Sequence, residues 1–175
     1  FTFKGESGSY LLFFGRIHHD KGAREAIEIA KRAGMPLVIA GIIQDREYYR
    51  RNVEPFLSDQ IKYVGSAGPE KRNELLGNAY ALLHPINFNE PFGLSVVEAM
   101  ACGTPVIAFP RGSMQEIVVH GKTGFLVENV EEALRVLPKV KEIEREGCRR
   151  WVEERFSADR MVEDYIKVYK KILSG

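Results

Sequence analysis

The sequence contains no long hydrophobic run. Its longest apolar segments, such as Tyr10–Phe14, are the length of a strand, far short of the roughly 18–20 residues that cross a bilayer. Near the amino terminus, Lys4, Glu6 and Ser7 interrupt the apolar residues, so this segment does not resemble a secretory signal. We therefore expect a cytoplasmic protein without a transmembrane segment.

Cysteine is scarce, and no excess of one charge is present. The two cysteines, Cys102 and Cys148, match no zinc-ligand spacing, which favours a reducing compartment. The 25 Lys and Arg residues nearly balance the 24 Asp and Glu residues, for a formal net charge of +1. Because proteins that bind nucleic-acid phosphates usually carry a basic excess, we expect no nucleic-acid partner.

Several cofactor motifs are missing as well. No G-x-G-x-x-G follows the first apolar strand, which argues against a nicotinamide or flavin cofactor. The segment 121–123 reads G-K-T, but a P-loop needs a glycine where Glu116 stands. His18 and His19 are adjacent, yet no clustered third ligand is evident, so the sequence predicts no metal site.

The 175 residues alternate between short apolar segments and longer amphipathic ones. This alternation predicts an α/β fold: a Rossmann-like, doubly wound parallel sheet of about six strands with helices on both faces. The expected strands are 10–14, 36–40, 61–64, 80–84, 105–109 and 124–127. The expected helices are 22–33, 46–57, 69–78, 93–101, 113–120 and 130–140.

Beyond residue 140 the pattern becomes purely helical, so we divide the chain into a Rossmann-like unit, 1–140, and C-terminal helices, 141–175. Ser157 is a suitable N-cap for the last helix. That helix carries two adjacent apolar stripes, which need a partner surface. The partner is either the sheet of this domain or, in part, a domain outside this chain.

Ligands of open α/β sheets bind beyond the carboxyl ends of the strands, which directs attention to the loops there. The first loop, 15–22, reads G-R-x4-K-G and places Arg16 and Lys21 around a turn that opens a helix. A helix N-terminus favours an anion, and the two cations would add charge-assisted hydrogen bonds. The loop predicts an anion site, unless both cations are simply solvated.

A second loop continues into a helix that is almost entirely apolar or small over 93–103. Glu98 is the exception, and a carboxylate in such surroundings either makes a structural bond or reaches a ligand. Pro91 favours an extended Glu90, whose side chain would then lie over the helix N-terminus. Gly93 would let backbone N–H groups approach a phosphate closely.

Two further residues at this edge allow alternative interpretations. Glu116, in a third loop, could hydrogen-bond a ligand or serve as an exposed acid in the first turn of a helix. His84 ends a strand and is either a packed histidine with satisfied hydrogen bonds or a ligand contact.

Four motifs follow one another along the chain: G-R-x4-K-G, E-P-F-G-L-x3-E-A-M-A-C-G-T-P-V-I-A, G-S-x2-E-I-V and G-x-T-G-F-L-V. Together they resemble glycosyltransferase family 4, which contains retaining enzymes with two Rossmann-like domains in the GT-B architecture. The resemblance covers about 10–127 and concerns only the C-terminal, donor-binding half. It implies that the N-terminal acceptor domain lies outside this chain, and that the closing helices pack partly on it.

The resemblance assigns roles to the matching residues. Arg16 and Lys21 would hold the donor diphosphate and Glu90 the sugar hydroxyls, and these three residues are our predicted catalytic set. Glu98 would bind the ribose. The remaining donor-binding residues are Gly15, Val64, Phe92, Gly93, Leu94 and Glu116. No metal or other cofactor is expected, because fixed positive groups would stabilise the departing diphosphate.

The implied activity is that of a hexosyltransferase of the mannosyl or glucosyl type. It would move a hexose, with retention, from a UDP- or GDP-sugar to a glycan, a lipid or a small acceptor. This domain alone would bind the nucleotide-sugar donor without turning it over, and the full enzyme could contact a membrane peripherally. A sugar-nucleotide epimerase of the same architecture and a non-catalytic nucleotide-binding or scaffolding module remain alternatives.

Overall fold

Six parallel strands form the centre of the domain in the computed structural model, which describes residues 1–174. They are β1 (Tyr10–Phe14), β2 (Leu37–Ala40), β3 (Ile61–Tyr63), β4 (Ala79–His84), β5 (Val106–Ala108) and β6 (Gly124–Leu126). Their order is β3-β2-β1-β4-β5-β6, and helices cover both faces of the sheet. The predicted Rossmann-like fold is confirmed, and every strand boundary agrees to within one residue.

Eight helices are described: α1 (Ala23–Ala33), α2 (Arg46–Asn52), α3 (Pro69–Gly77), α4 (Leu94–Ala101), α5 (Met114–Ile117), α6 (Val130–Val136), α7 (Arg145–Phe156) and α8 (Ala158–Ser174). Three of them are shorter than predicted. The helix α2 ends at Asn52, and a 3-10 segment, Glu54–Phe56, follows it. The backbone of Val118 is extended, and Val119 N–H donates to Thr123 Oγ1, which ends α5 early. Pro138 follows α6, and the chain there continues as a 3-10 segment, Leu137–Glu142.

The central strands are buried on both faces of the sheet. Leu11 and Leu12 in β1 and Leu82 and Leu83 in β4 are at most 1% exposed, as expected for parallel strands between two helix layers. The sheet grows in one direction from β1 to β3 and in the other from β4 to β6. A crevice therefore opens between the carboxyl ends of β1 and β4, where the strand order reverses.

At the opposite, amino-terminal edge, Arg145 joins separate parts of the chain. This side chain of α7 is 7% exposed and donates to the carbonyl oxygens of Lys4, Gly77 and Ala79. It also donates to Thr104 Oγ1 at 2.8 Å. Arg145 thus fixes the N-terminal segment and the beginning of β4 to α7.

The C-terminal helices differ in how they pack. In α7, Cys148 and Val152 are buried, and Ser157 Oγ accepts from Arg160 N–H at 3.2 Å, which confirms the N-cap of α8. The apolar residues of α8 are 44–86% exposed: Met161, Val162, Tyr165, Ile166, Val168, Tyr169, Ile172 and Leu173. Residues 1–157 thus leave the apolar face of α8 uncovered, and the division into 1–140 and 141–175 with its packing partners stays a prediction.

Of the helices in residues 1–174, none combines the length and the apolarity that a membrane crossing needs.

Candidate functional site

A cavity of about 450 Å³ opens at the carboxyl edge of the sheet, between the loops that follow β1 and β4. Loops after β2 and β3 and the first turn of α4 complete its wall. The lining residues with polar or conformational roles are Gly15, Arg16, Lys21, Gly41, Ser66, Arg72, His84, Glu90, Gly93, Ser95 and Glu98. Phe92 and Leu94 also line it. Most of the predicted site residues are thus brought to one place.

The N-terminus of α4 forms one wall. Gly93 has a φ of 85°, a left-handed conformation that favours glycine, and a Cβ at this position would also displace the end of the Met114 side chain, 2.5 Å away. Among residues 1–174, no side chain caps α4, and Leu94 and Ser95 lie at the cavity wall. The first N–H groups of a helix have no intrahelical acceptor, so this wall carries partial positive charge.

Lys21 and Glu90 form a close ion pair inside the cavity. Lys21 Nζ lies 2.6 Å from Glu90 Oε2, and each side chain is 13% exposed. The ammonium also lies 4.3 Å from the ring centroid of Phe88. The His84 imidazole and the Lys21 ammonium lower the pKa of Glu90 to about 2, against the opposing effect of burial. Glu90 is therefore ionised throughout the neutral range.

His84 lies beneath this pair. Its Nε2 faces Glu90 Oε2 at 3.6 Å, slightly longer than a normal hydrogen bond, and has no closer polar partner among the described residues. Burial lowers the pKa of His84, so the imidazole is neutral at pH 7. The interpretation of His84 as a fully satisfied packed histidine is therefore wrong at Nε2, and the ring lines the cavity instead.

Arg16 lies at the rim of the cavity and is 41% exposed. Its guanidinium donates to Gln44 Oε1 and lies 3.6 Å from Asp20 Oδ2. Arg16 and Lys21 thus line the same space as the start of α4, as the sequence predicted. Gln44, in the loop after β2, was missed because nothing in its local sequence marks it.

Arg72 is a charged member of the cavity that sequence reasoning also missed. Its Nη1 lies 3.1 Å from Glu98 Oε1, and its guanidinium lies 5.5 Å from the ring centroid of Phe14. Burial raises the pKa of Glu98, whose side chain is 12% exposed. Within residues 1–174, Glu98 Oε2 and Arg72 Nε have no hydrogen-bond partner. One carboxylate oxygen of Glu98 therefore makes a structural bond, while the other remains available as an acceptor.

The third loop supports Glu90 through the backbone. Ser113 N–H donates to the Glu90 carbonyl at 2.9 Å, and Ser113 Oγ donates to the Phe92 carbonyl at 2.9 Å. Gly112 has a φ of 59°, and a Cβ there would lie 2.4 Å from the Glu90 carbonyl oxygen. The loop after β5 therefore holds Glu90 and Phe92 in place.

Two predicted site residues are not brought to this cavity. Glu116 is exposed, and Val64 is 42% exposed; neither belongs to the described lining. Ser66 and Ala67, a few residues beyond Val64, line the cavity instead. Glu116 matches the alternative of an exposed first-turn acid, since it lies in the first turn of α5.

The expectation that His18 and His19 lack a clustered third ligand is wrong. Asp45, which caps α2, comes close to both imidazoles because the loops after β1 and β2 are neighbours. Sequence distance concealed this contact.

Comparison with known proteins identifies a family. The model described as "Glycosyl transferases group 1" matches residues 2–169. An uncharacterized 41.2 kDa protein in the cps region of Klebsiella pneumoniae is 29% identical over 167 residues, 91% of this chain and 46% of that protein. N-acetyl-alpha-D-glucosaminyl L-malate synthase of Bacillus anthracis is 32% identical over 126 residues, 67% of this chain and 32% of that protein. The chain thus spans less than half the length of these relatives.

Solved structures share the fold. AviGT4, a glycosyltransferase involved in avilamycin A biosynthesis, superposes with a TM-score of 0.82 at 29% identity, covering 98% of this chain and 53% of that one. Anabaena Alr3699/HepE in complex with UDP and glucose gives a TM-score of 0.79 at 21% identity, covering 94% of this chain and 48% of that one.

Proposed function

Because this chain belongs to the glycosyl transferases group 1 family, we propose that it is the donor-binding half of a retaining hexosyltransferase of the mannosyl or glucosyl type. Its substrate would be a UDP- or GDP-sugar, and the hexose would pass to a glycan, a lipid or a small acceptor. The family match confirms the resemblance stated from the four motifs. The proposal depends on one observation: Arg16, Lys21, Glu90 and the start of α4 line a single cavity.

The positive groups of this cavity suit a diphosphate. Arg16, Lys21 and the first turn of α4, which no side chain of residues 1–174 caps, surround one space, and each favours an anion. A diphosphate would compete with Glu90 for the Lys21 ammonium, which now lies 2.6 Å from Glu90 Oε2. As the bond to the sugar breaks, these fixed charges would stabilise the departing diphosphate without a metal ion in that step.

The acidic groups suit the two sugars of the donor. Glu90, ionised and fixed by the loop after β5, would accept hydrogen bonds from hydroxyls of the transferred hexose. Glu98 Oε2, with no partner among the described residues, would accept one from the ribose. Arg72 would hold Glu98 in place through the other carboxylate oxygen. The assignment of Val64 and Glu116 to the donor site remains a prediction, supported only by the motifs.

A second domain would complete the enzyme. The relatives are about twice as long as this chain, and α8 presents an uncovered apolar face. We propose that an acceptor domain outside this chain packs on that face, and that the present domain alone binds donor without turnover. A cytoplasmic location and peripheral membrane contact of the full enzyme are part of the same proposal.

Calorimetry with Arg16→Ala tests the diphosphate site. We expect the affinity for the preferred nucleotide among UDP, GDP and ADP to fall at least tenfold, about 1.4 kcal/mol, because one charge-assisted contact is lost. Arg50→Ala is the matched control, since Arg50 is exposed on α2 and lies outside the described cavity lining. Unchanged affinity of Arg16→Ala for all three nucleotides would contradict the assignment.

A further inference from the structure

Three metal-ligating side chains meet outside the donor cavity, between the loops that follow β1 and β2. His18 and His19 come from the first loop, and Asp45 comes from the second. One ligand atom of each lies within 4.8 Å of the others, and the two imidazole centroids are 4.2 Å apart. None of the three belongs to the described lining of the donor cavity.

Backbone hydrogen bonds hold these two loops together. Ile17 pairs with Ile43 in a parallel bridge, and Ile17 is fully buried. Gln44 N–H and Asp45 N–H both donate to the Ile17 carbonyl, at 3.2 and 3.1 Å. The meeting of the three side chains is therefore set by the fold, because the peptide groups next to them are fixed.

In Asp45 and His18, one polar side-chain atom already has a neighbour, and the other has no polar contact among residues 1–174. Asp45 Oδ1 accepts from Glu47 N–H and Tyr48 N–H as the cap of α2, which leaves Oδ2. His18 Nδ1 lies 2.7 Å from Asp20 Oδ1 and accepts from Asp20 N–H at 3.5 Å, so binding through Nε2 requires the tautomer whose Nδ1–H donates to Asp20 Oδ1. A carboxylate behind a ligating imidazole is the usual outer-shell arrangement of metal sites.

We propose that His18, His19 and Asp45 bind a divalent transition-metal ion of the zinc class. Two imidazoles and one carboxylate form a donor set suited to zinc, with a fourth position for water. Ligand atoms of a tetrahedral zinc site lie about 3.3 Å apart, so closure needs a small movement, which the exposed His19 can make.

Such an ion would connect the two loops next to the donor cavity. The loop after β1 carries Arg16, and the loop after β2 carries Gln44, which already accepts a hydrogen bond from Arg16. The ion lies outside the cavity and takes no part in the proposed transfer step. The metal site therefore stands independently of the proposed function.

The tag-free chain, freed of metal with a chelator, tests the proposal by calorimetric titration with Zn²⁺ and by visible absorption with Co²⁺. We expect one Zn²⁺ per chain with a Kd below about 100 µM, and the intense visible bands of Co²⁺ in a four-coordinate site. Cys102 and Cys148 are buried and do not compete for the ion.

Two variants and a control separate this site from general surface binding. His19→Ala and Asp45→Asn should each weaken Zn²⁺ binding at least tenfold. Asn is as good an N-cap as Asp, so the second variant removes a ligand charge while keeping the cap of α2. His120→Gln, at an exposed histidine elsewhere, should leave the affinity unchanged.

The proposal is wrong if the parent chain binds no Zn²⁺ at concentrations up to about 100 µM. It is also wrong if both variants bind like the parent, or if His120→Gln lowers the affinity as much as they do. None of these outcomes bears on the donor site, because nucleotide titration of Arg16→Ala uses a different ligand and a different cavity.

Discussion

The amino-terminal and carboxyl edges of the sheet differ in whether their buried polar atoms have hydrogen-bond partners. At the amino-terminal edge, Arg145 donates to three carbonyl oxygens and one hydroxyl. At the carboxyl edge, Arg72, His84 and Glu98 each keep a buried polar atom that has no partner within residues 1–174. Buried polar groups are normally satisfied, so the first arrangement is that of a structural site and the second that of a ligand site.

Removing the Arg145 guanidinium should have the largest effect on stability. Arg145→Met fills similar space but removes the donor from three buried acceptors and one partly buried acceptor, so we expect the free energy of unfolding to fall by about 3–5 kcal/mol. Urea denaturation measures this loss. Arg150→Met, an exposed arginine on the same helix, should lose less than about 0.5 kcal/mol. A loss below about 1 kcal/mol in Arg145→Met would remove the contrast between the two edges.

At the carboxyl edge, Glu98→Gln should separate binding from stability. Burial raises the pKa of Glu98 in the folded chain, so ionised Glu98 costs stability above that pKa, and neutral glutamine relieves the cost. We expect nucleotide affinity to fall at least tenfold, about 1.4 kcal/mol, while the free energy of unfolding at pH 7 stays the same or rises slightly.

Calorimetry measures the nucleotide affinity of Glu98→Gln, and urea denaturation of the same preparation measures its free energy of unfolding. Glu74→Gln, which removes an exposed carboxylate paired with Lys71, is the control for affinity. Nucleotide affinity equal to that of the parent, or a clear loss of stability, would show that Glu98 is a structural acid.

Glu90→Gln should lower the free energy of unfolding by less than Arg145→Met does, and this loss should depend on pH. The folded pKa of about 2 lies below the ordinary value of 4.5, so ionised Glu90 stabilises the fold above pH 4.5 and loses this contribution as the pH falls towards 2. We expect Glu90→Gln to lower the free energy of unfolding by about 1–2 kcal/mol at pH 7, and by less at pH 3.

Denaturation curves of both proteins across this range give the measurement. Equal differences at pH 7 and pH 3 would show that the Lys21–Glu90 pair does not stabilise the fold through its charge.

The strands could be predicted closely because parallel strands buried on both faces are continuous apolar runs, such as 37–40. Helix ends were harder to predict, since they depend on bonds made after the chain turns. The end of α5 is decided by Thr123, six residues beyond Ile117. The helix α8 itself was predicted, but its packing partner was not. Its apolar stripes indicated that some surface must cover them, and in the structure the apolar face is exposed.

The candidate site could be predicted where a single loop after a strand contains the charged residues and glycines that a phosphate or sugar site needs. Arg16, Lys21, Glu90 and Gly93 lie in loops with cations, acids and glycine at the end of a strand. Arg72 could not be found in this way, because its neighbours form an ordinary charged helix start and its partner Glu98 is 26 residues away. The general rule that loops after parallel strands converge was the available signal for it.

The strand order has a consequence for how the chain acquires its binding capacity. β1 and β4 are neighbours in the sheet although 64 residues separate Phe14 from Ala79, so the cavity is assembled from two distant stretches. A nascent or truncated chain that stops before β4 contains Arg16 and Lys21 but neither Glu90 nor α4. Nucleotide binding should therefore appear late in folding, with the pairing of β1 and β4, and would serve as a probe for that event in refolding experiments.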